Sequence, residues 1–160
     1  MSRPVLGTTE SPEHNVDALQ LLDTYRAGLR RAVQDADRVA GHDGWAGLET
    51  LWRFFQGWFS SPDWFVVWSL MTAAEALPVG DVEAMTAMIE GHQEERSLLD
   101  RLARATGVAD PTALGVLLRV IIYGSGTTAA LDDGRAAAKT LRLMLAEAWQ
   151  EHRARPLASS

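Results

Sequence analysis

The stretch Asp110-Pro111-Thr112-Ala113-Leu114-Gly115-Val116-Leu117-Leu118-Arg119-Val120-Ile121-Ile122-Tyr123-Gly124 decides the fold class of this chain. Read from its middle, Val116 to Tyr123 has the β-branched and aliphatic run of a buried strand. Read from its start, Asp110 is a helix cap, and Pro111 at the first helical position gives up no hydrogen bond. The apolar segment then continues to Leu131, well beyond the roughly 4–8 residues of a strand. A helix over Pro111–Leu131 is therefore predicted, and no other segment alternates with period two for long enough to argue for a sheet.

Working outward, Gly, Pro and Asp divide the chain into six predicted helices. Asp132-Asp133-Gly134 turns into a sixth helix from about Arg135 to His152. On the other side, a fourth helix capped by Asp81 ends at Gly107, a residue suited to the left-handed conformation that closes helices. Pro78-Val79-Gly80 separates it from a third helix that starts at Ser60-Ser61-Pro62 and runs to about Leu77. The second helix spans Trp45 to Phe59, after the break Gly41-His42-Asp43-Gly44. The first, capped by Asn15, reaches Ala40 with Val16, Leu19, Leu22, Tyr25 or Arg26, Leu29 and Val33 on one stripe. Residues 1–14 read as a flexible leader, 15–153 as one helical domain and 154–160 as a frayed tail.

At 160 residues the length fits one domain, and 47% apolar content excludes wholesale disorder. The net charge of −6 disfavours a stand-alone nucleic-acid binder. No cysteine is present, which removes disulfides, thiolate metal sites and cysteine nucleophiles. No export signal is evident before Asn15. The most apolar run, Trp64 to Met71, is far shorter than the roughly 20 residues of a membrane span. A cytoplasmic protein with no membrane association is the expectation.

Nine of the twelve aromatic residues lie between Trp45 and Trp68. Such rings can fill a core, or they can leave gaps among them that make an apolar small-molecule site. On the second reading Trp52, Phe55, Phe59 and Trp68 wall a pocket, with Met71, Met85 and Met88 as adaptable surfaces. His92 and Arg96 share the fourth helix's apolar stripe with Val82, Met85, Met88, Ile89, Leu99 and Leu102. His92 is then either a satisfied core residue or a hydrogen-bonding contact for a ligand, with Glu75 or Arg96 nearby and Tyr123 as a second polar handle. Glu94-Glu95-Arg96 and Asp100-Arg101-Arg104 read as a solvated face with pairing along the helix.

Catalytic patterns do not emerge. No histidine has a glutamate three residues before it, as a carboxylate-bridged di-iron bundle needs. Tyr123 stands where a nucleophile elbow around Ser125 requires glycine. The single lysine, Lys139, belongs to no phosphate loop. No cofactor and no metal are expected, and the chain does not read as an enzyme.

The last two helices suggest association. Gly115, Gly124, Gly126 and Ala130 would let another helix approach closely, with Tyr123 and Thr127 beside them. Leu141, Leu145, Ala148 and Trp149 extend the apolar surface of the sixth helix. Meeting their symmetry mates, the two helices would form an intersubunit four-helix bundle, making a homodimer. The plainer alternative is that both are central to the monomer and the domain is an interaction module with a filled core.

Three stretches resemble the effector-binding domain of TetR-family transcriptional regulators. They are Leu70-Met71-Thr72-Ala73-Ala74-Glu75-Ala76-Leu77 through Gly80-Asp81-Val82-Glu83-Ala84, then Leu98-Leu99-Asp100-Arg101-Leu102 leading to Ala109-Asp110-Pro111-Thr112-Ala113-Leu114, and Val120-Ile121-Ile122-Tyr123-Gly124 ending in Ala129-Ala130-Leu131-Asp132-Asp133-Gly134. The likeness covers about Asp17 to Trp149. It implies a cavity among the second to fifth helices, a dimer built from the fifth and sixth, and small-molecule sensing in transcriptional regulation. The family's N-terminal helix-turn-helix unit is expected to be missing here. In the first helix Arg26, Arg30, Arg31 and Arg38 are balanced by Asp17, Asp23, Asp35 and Asp37, so it offers no net charge to a polyanion. Direct DNA contact is not expected, and output through a mixed dimer with a full-length regulator is.

Overall fold

Three aspartates set where helices begin. In the computed structural model, which describes residues 12–72 and 82–153, Asp43 Oδ1 accepts from the backbone N–H groups of Trp45 (3.1 Å) and Ala46 (3.3 Å). Asp110 Oδ1 accepts from Ala113 N (3.0 Å), and Asp133 Oδ1 from Arg135 N (2.9 Å) and Ala136 N (3.2 Å). Each pairs an amide that the first helical turn leaves without a partner. The helices are α1 (Pro12–Ala40), α2 (Gly44–Phe59), α3 (Trp64–Thr72), α4 (Val82–Ala105), α5 (Pro111–Leu131) and α6 (Gly134–Arg153), and no strand occurs among the described residues.

Among the described residues the all-helical, six-element reading of the sequence thus stands, with shifted ends. α1 begins at Pro12, ahead of Asn15. α3 begins at Trp64 instead of at Pro62, because the Ser61 hydroxyl accepts from Asp63 N (3.2 Å) and the Ser61 carbonyl from Trp64 N (3.2 Å), which makes a turn there first. Gly107, at φ 74°, closes α4 in the left-handed region. The expected leader up to Ser11, the end of the third helix at Leu77, the break at Pro78–Gly80, the Asp81 cap, Glu75 and the tail 154–160 lie outside the described residues.

Leu48, Leu51 and Phe55 of α2, Leu99 and Leu102 of α4, Leu114 and Leu118 of α5, and Leu141 and Leu145 of α6 form the fully buried centre. Tyr25, Leu29, Val33 and Ala36 of α1 close it from one side. α2 and α6 run antiparallel, and a glycine permits close approach at each end. A Cβ on Gly44 would overlap the Trp149 ring, and one on Gly134 would overlap the Phe59 carbonyl oxygen. Between these points the Trp52 indole N–H donates to the Ala138 carbonyl (2.8 Å). Arg142 lies over the rings of Trp45 and Trp52, at 5.8 and 5.3 Å, with Glu49 beside it at 3.6 Å. α1 is tied to α4 by the Arg30–Glu94 ion pair and by Arg101 Nε donating to Asp37 Oδ2 (2.6 Å).

This packing corrects most of the residues expected at an intersubunit surface. Leu141, Leu145 and Ala148 are buried on the α6 face that meets α2, and Trp149 covers Gly44. Gly115 makes room for the Asp100 carboxylate, and Gly126 for the Trp64 indole. Thr127 accepts from the Trp68 indole N–H (3.3 Å), and Ala130 is half-buried. Gly115 and Gly126 of α5 therefore admit side chains of their own chain. Tyr123 and Gly124 alone among those residues are exposed, on an outward face that also carries Val116, Val120 and Leu131, with Leu143 and Met144 of α6.

α5 also exceeds Trp64–Met71 as the longest apolar run. Its 21 residues, with a mean hydropathy of 1.5 over the most apolar window, meet the length and composition of a membrane span. Its Leu114, Leu118, Ile121 and Ile122 are buried among the other helices, and its Arg119 pairs with Asp100 at 3.4 Å.

Candidate functional site

α3 is short and apolar nearly all round, and its two tryptophans anchor it to α5. The Trp64 indole N–H donates to the Gly126 carbonyl (2.9 Å) and that of Trp68 to Thr127 Oγ1. Satisfying both indole donors lets these large rings be buried without an orphaned polar group. Tyr25 of α1 packs against Trp64 (ring centroids 5.6 Å apart) and, edge-on, against Trp58 of α2 (5.5 Å). On α4, His92, Glu95, Arg96 and Leu99 recur at helical spacing on one face.

These groups and the facing side of α5 enclose a cavity of about 530 Å³, open on one side, whose walls are largely apolar. Trp64, Trp68, Met71 and Thr72 form one wall, and Arg119, Val120, Ile122 and Tyr123 the other. Tyr25 and Leu99 lie at its buried end, and Gly124 and Gly126 keep α5 thin along it. The volume falls within the range of small-molecule sites. Among the described residues no three acidic or histidine side chains converge to hold a metal. No family model, curated protein or solved structure matches the chain.

Of the residues expected to bind a ligand, the structure brings together Trp68, Met71, His92 and Tyr123. It places the others elsewhere. Trp52 faces α6, where Ala138 takes its N–H. Phe55 and Phe59 are fully buried and stack on each other and on Phe54 and Trp64 (centroids 5.0 to 5.6 Å apart), so they plug the core. Met85 is 45% exposed, and Met88, half-buried, does not line the cavity. His92 is neither an interior residue nor unpartnered. It sits exposed at the cavity's edge, where its Nε2 lies 3.2 Å from the Met71 carbonyl and donates to it as the Nε2–H tautomer.

The cluster read as a solvated face divides. Glu94 pairs with Arg30 of α1, and Arg96 with Asp100 at 3.9 Å, a carboxylate that also takes Arg119. Glu95, between them, turns into the cavity and makes no ion pair or hydrogen bond among the described residues. Burial raises its pKa above the ordinary carboxylate value, against smaller opposing effects from His92 and Arg26. Arg26 lies across Gly91, where a Cβ would overlap its guanidinium. The Tyr25 hydroxyl, on a side chain 1% exposed, also has no hydrogen bond among the described residues. Its pKa is raised by burial and then by the negative charge of Glu95.

Tyr25, Trp64, Glu95 and Arg119 were not among the expected ligand contacts. Tyr25 was one of two candidates, with Arg26, for the inward stripe of α1, and a hydroxyl pointing inward raises the question of its partner. Glu95 is one helical turn before Leu99, which places it on the buried side of α4. The raised pKa of Glu95 makes the folded state the stronger proton binder, so its contribution to stability is greatest below the ordinary carboxylate range. That contribution is lost as pH rises through the raised value. Glu95→Gln is accordingly expected to melt at a higher temperature than the parent near neutral pH. The two melting curves should converge as pH falls towards the ordinary carboxylate range, which calorimetry across pH would read directly. Parallel curves at all pH values would mean that the carboxylate is well solvated.

Proposed function

We propose that the chain is a small-molecule-sensing domain of the TetR type, acting in transcriptional regulation as a homodimer. The observation that carries this reading is the cavity of about 530 Å³ between α3, α4 and α5, closed at its end by Tyr25 of α1. A space of that size, with aromatic walls and few polar groups, suits an apolar or aromatic ligand. The sequence resemblance in α3, α4 and α5 points the same way.

The dimer of this reading uses the outward faces of α5 and α6. Val120 (64% exposed), Tyr123 (65%) and Leu143 (64%) stand there, beside a groove of about 190 Å³ between Val120, Gly124, Thr128, Thr140 and Met144. α5 thus has the cavity on one side and the proposed partner on the other, with Val120, Tyr123 and Gly124 belonging to both. A ligand that binds one arrangement of α5 better than another shifts the population of dimer geometries by that difference in affinity.

The test is a thermal-shift and calorimetric screen of lipophilic compounds, combined with sedimentation of the parent chain and Val120→Arg. A ligand at a hundred times its dissociation constant stabilises the fold by about 2.7 kcal/mol. Binding that is lost when Trp68→Ala opens the cavity wall is the expected result. A dimer at micromolar concentration that Val120→Arg dissociates is expected for the assembly. No stabilisation across the screen would remove the sensor, and a parent chain that sediments as a monomer would remove the dimer.

A further inference from the structure

We infer that the cavity takes a lipophilic cation, an aromatic molecule carrying a protonated amine that pairs with Glu95. This rests on the receptor reading and adds the charge of the ligand. Glu95 lines the cavity with no ion-pair partner among the described residues. Any ligand that fills the space strips water from that carboxylate, and an uncompensated buried charge is costly. A neutral hydrocarbon leaves the cost standing, an anion adds repulsion, and a cation removes it through a charge-assisted hydrogen bond.

The rest of the wall fits the same chemistry. Trp64, Trp68, Tyr25 and Tyr123 contribute aromatic rings around the space, and their faces attract cations. The Tyr25 hydroxyl, on a side chain 1% exposed, offers a second oxygen on the side of Glu95. The arginines nearby are occupied or outside, and His92, which also acts on Glu95, has the Met71 carbonyl as its partner. Arg96 and Arg119 both pair with Asp100, Arg96 is 68% exposed to solvent, and Arg26 does not line the cavity.

Three probes of one shape separate the possibilities: 9-(aminomethyl)anthracene, 9-anthracenemethanol and 9-anthracenecarboxylate, titrated near neutral pH by energy transfer from tryptophan. The ammonium form is expected to bind at least about tenfold more tightly than the alcohol, and the carboxylate least, a tenfold step being about 1.4 kcal/mol. In Glu95→Gln the ammonium and alcohol probes should bind alike, the alcohol more tightly than to the parent because no carboxylate is left to desolvate. Equal or tighter binding of the alcohol or carboxylate overturns the cation and leaves the receptor reading intact. A preference for the ammonium that survives in Glu95→Gln overturns the role of Glu95. Failure of all three to bind overturns the receptor reading, and the cation with it.

Discussion

Trp64→Ala is expected to destabilise the chain by about 3–5 kcal/mol, the usual cost of deleting a large buried aromatic ring. The ring touches Tyr25 and Phe59, fills the space left by Gly126, and donates its N–H to the Gly126 carbonyl. Removing it leaves a void and takes away the second donor to that helical carbonyl. A domain of this kind holds about 5–15 kcal/mol in total, so the loss is a large share of it. Trp64→Phe is the milder change. It keeps an aromatic ring but loses the N–H and part of the indole's volume, for about 1–3 kcal/mol. Urea denaturation of the three proteins reads both numbers. A Trp64→Ala midpoint equal to that of the parent would mean that α3 does not dock on α5 through this indole.

The second large effect is expected at Gly134, the first residue of α6. A methyl group there would overlap the Phe59 carbonyl oxygen, which is backbone and cannot rotate away. Overpacking typically costs about 1–3 kcal/mol and sometimes more. Gly134→Val should lie at or above the upper end, because α6 is also held by the Asp133 cap and by the Trp52–Ala138 hydrogen bond. Gly57 is the control. It sits in α2 with open space around its Cβ position, so Gly57→Ala should stabilise by about 0.4–1 kcal/mol through the unfolded chain. Thermal melts showing no difference between the two substitutions would refute the close approach of α2 and α6.

The helices were legible because their punctuation is local. Asp110-Pro111 and Asp133-Gly134 act within one turn of the residues they organise, and Gly107 needs only its own φ. The β-branched run from Val116 to Tyr123 misleads only when read without its cap. The face that each helix turns to its neighbours is a different matter, since it depends on the other helices. Phe55 and Phe59 occupy positions as suitable for a pocket as for a core, and their burial is decided by what α5 and α6 bring against them. Gly115 and Gly126 read as sockets for a foreign helix. They receive Asp100 and Trp64, which lie 15 and 62 residues away in sequence. Periodicity places Trp68, Met71, His92 and Tyr123 on helices without saying that those helices surround one hollow. Glu95 was hidden by its company, because Glu94 and Arg96 on either side are surface residues with partners.

The two glycines that bring α2 and α6 together lie at opposite ends of the seam. A joint pinned at one end can pivot, whereas one pinned at both can neither slide nor swivel. The pair consequently behaves as a single beam against which the other helices pack. Amide hydrogens along the beam should be the last to exchange with solvent.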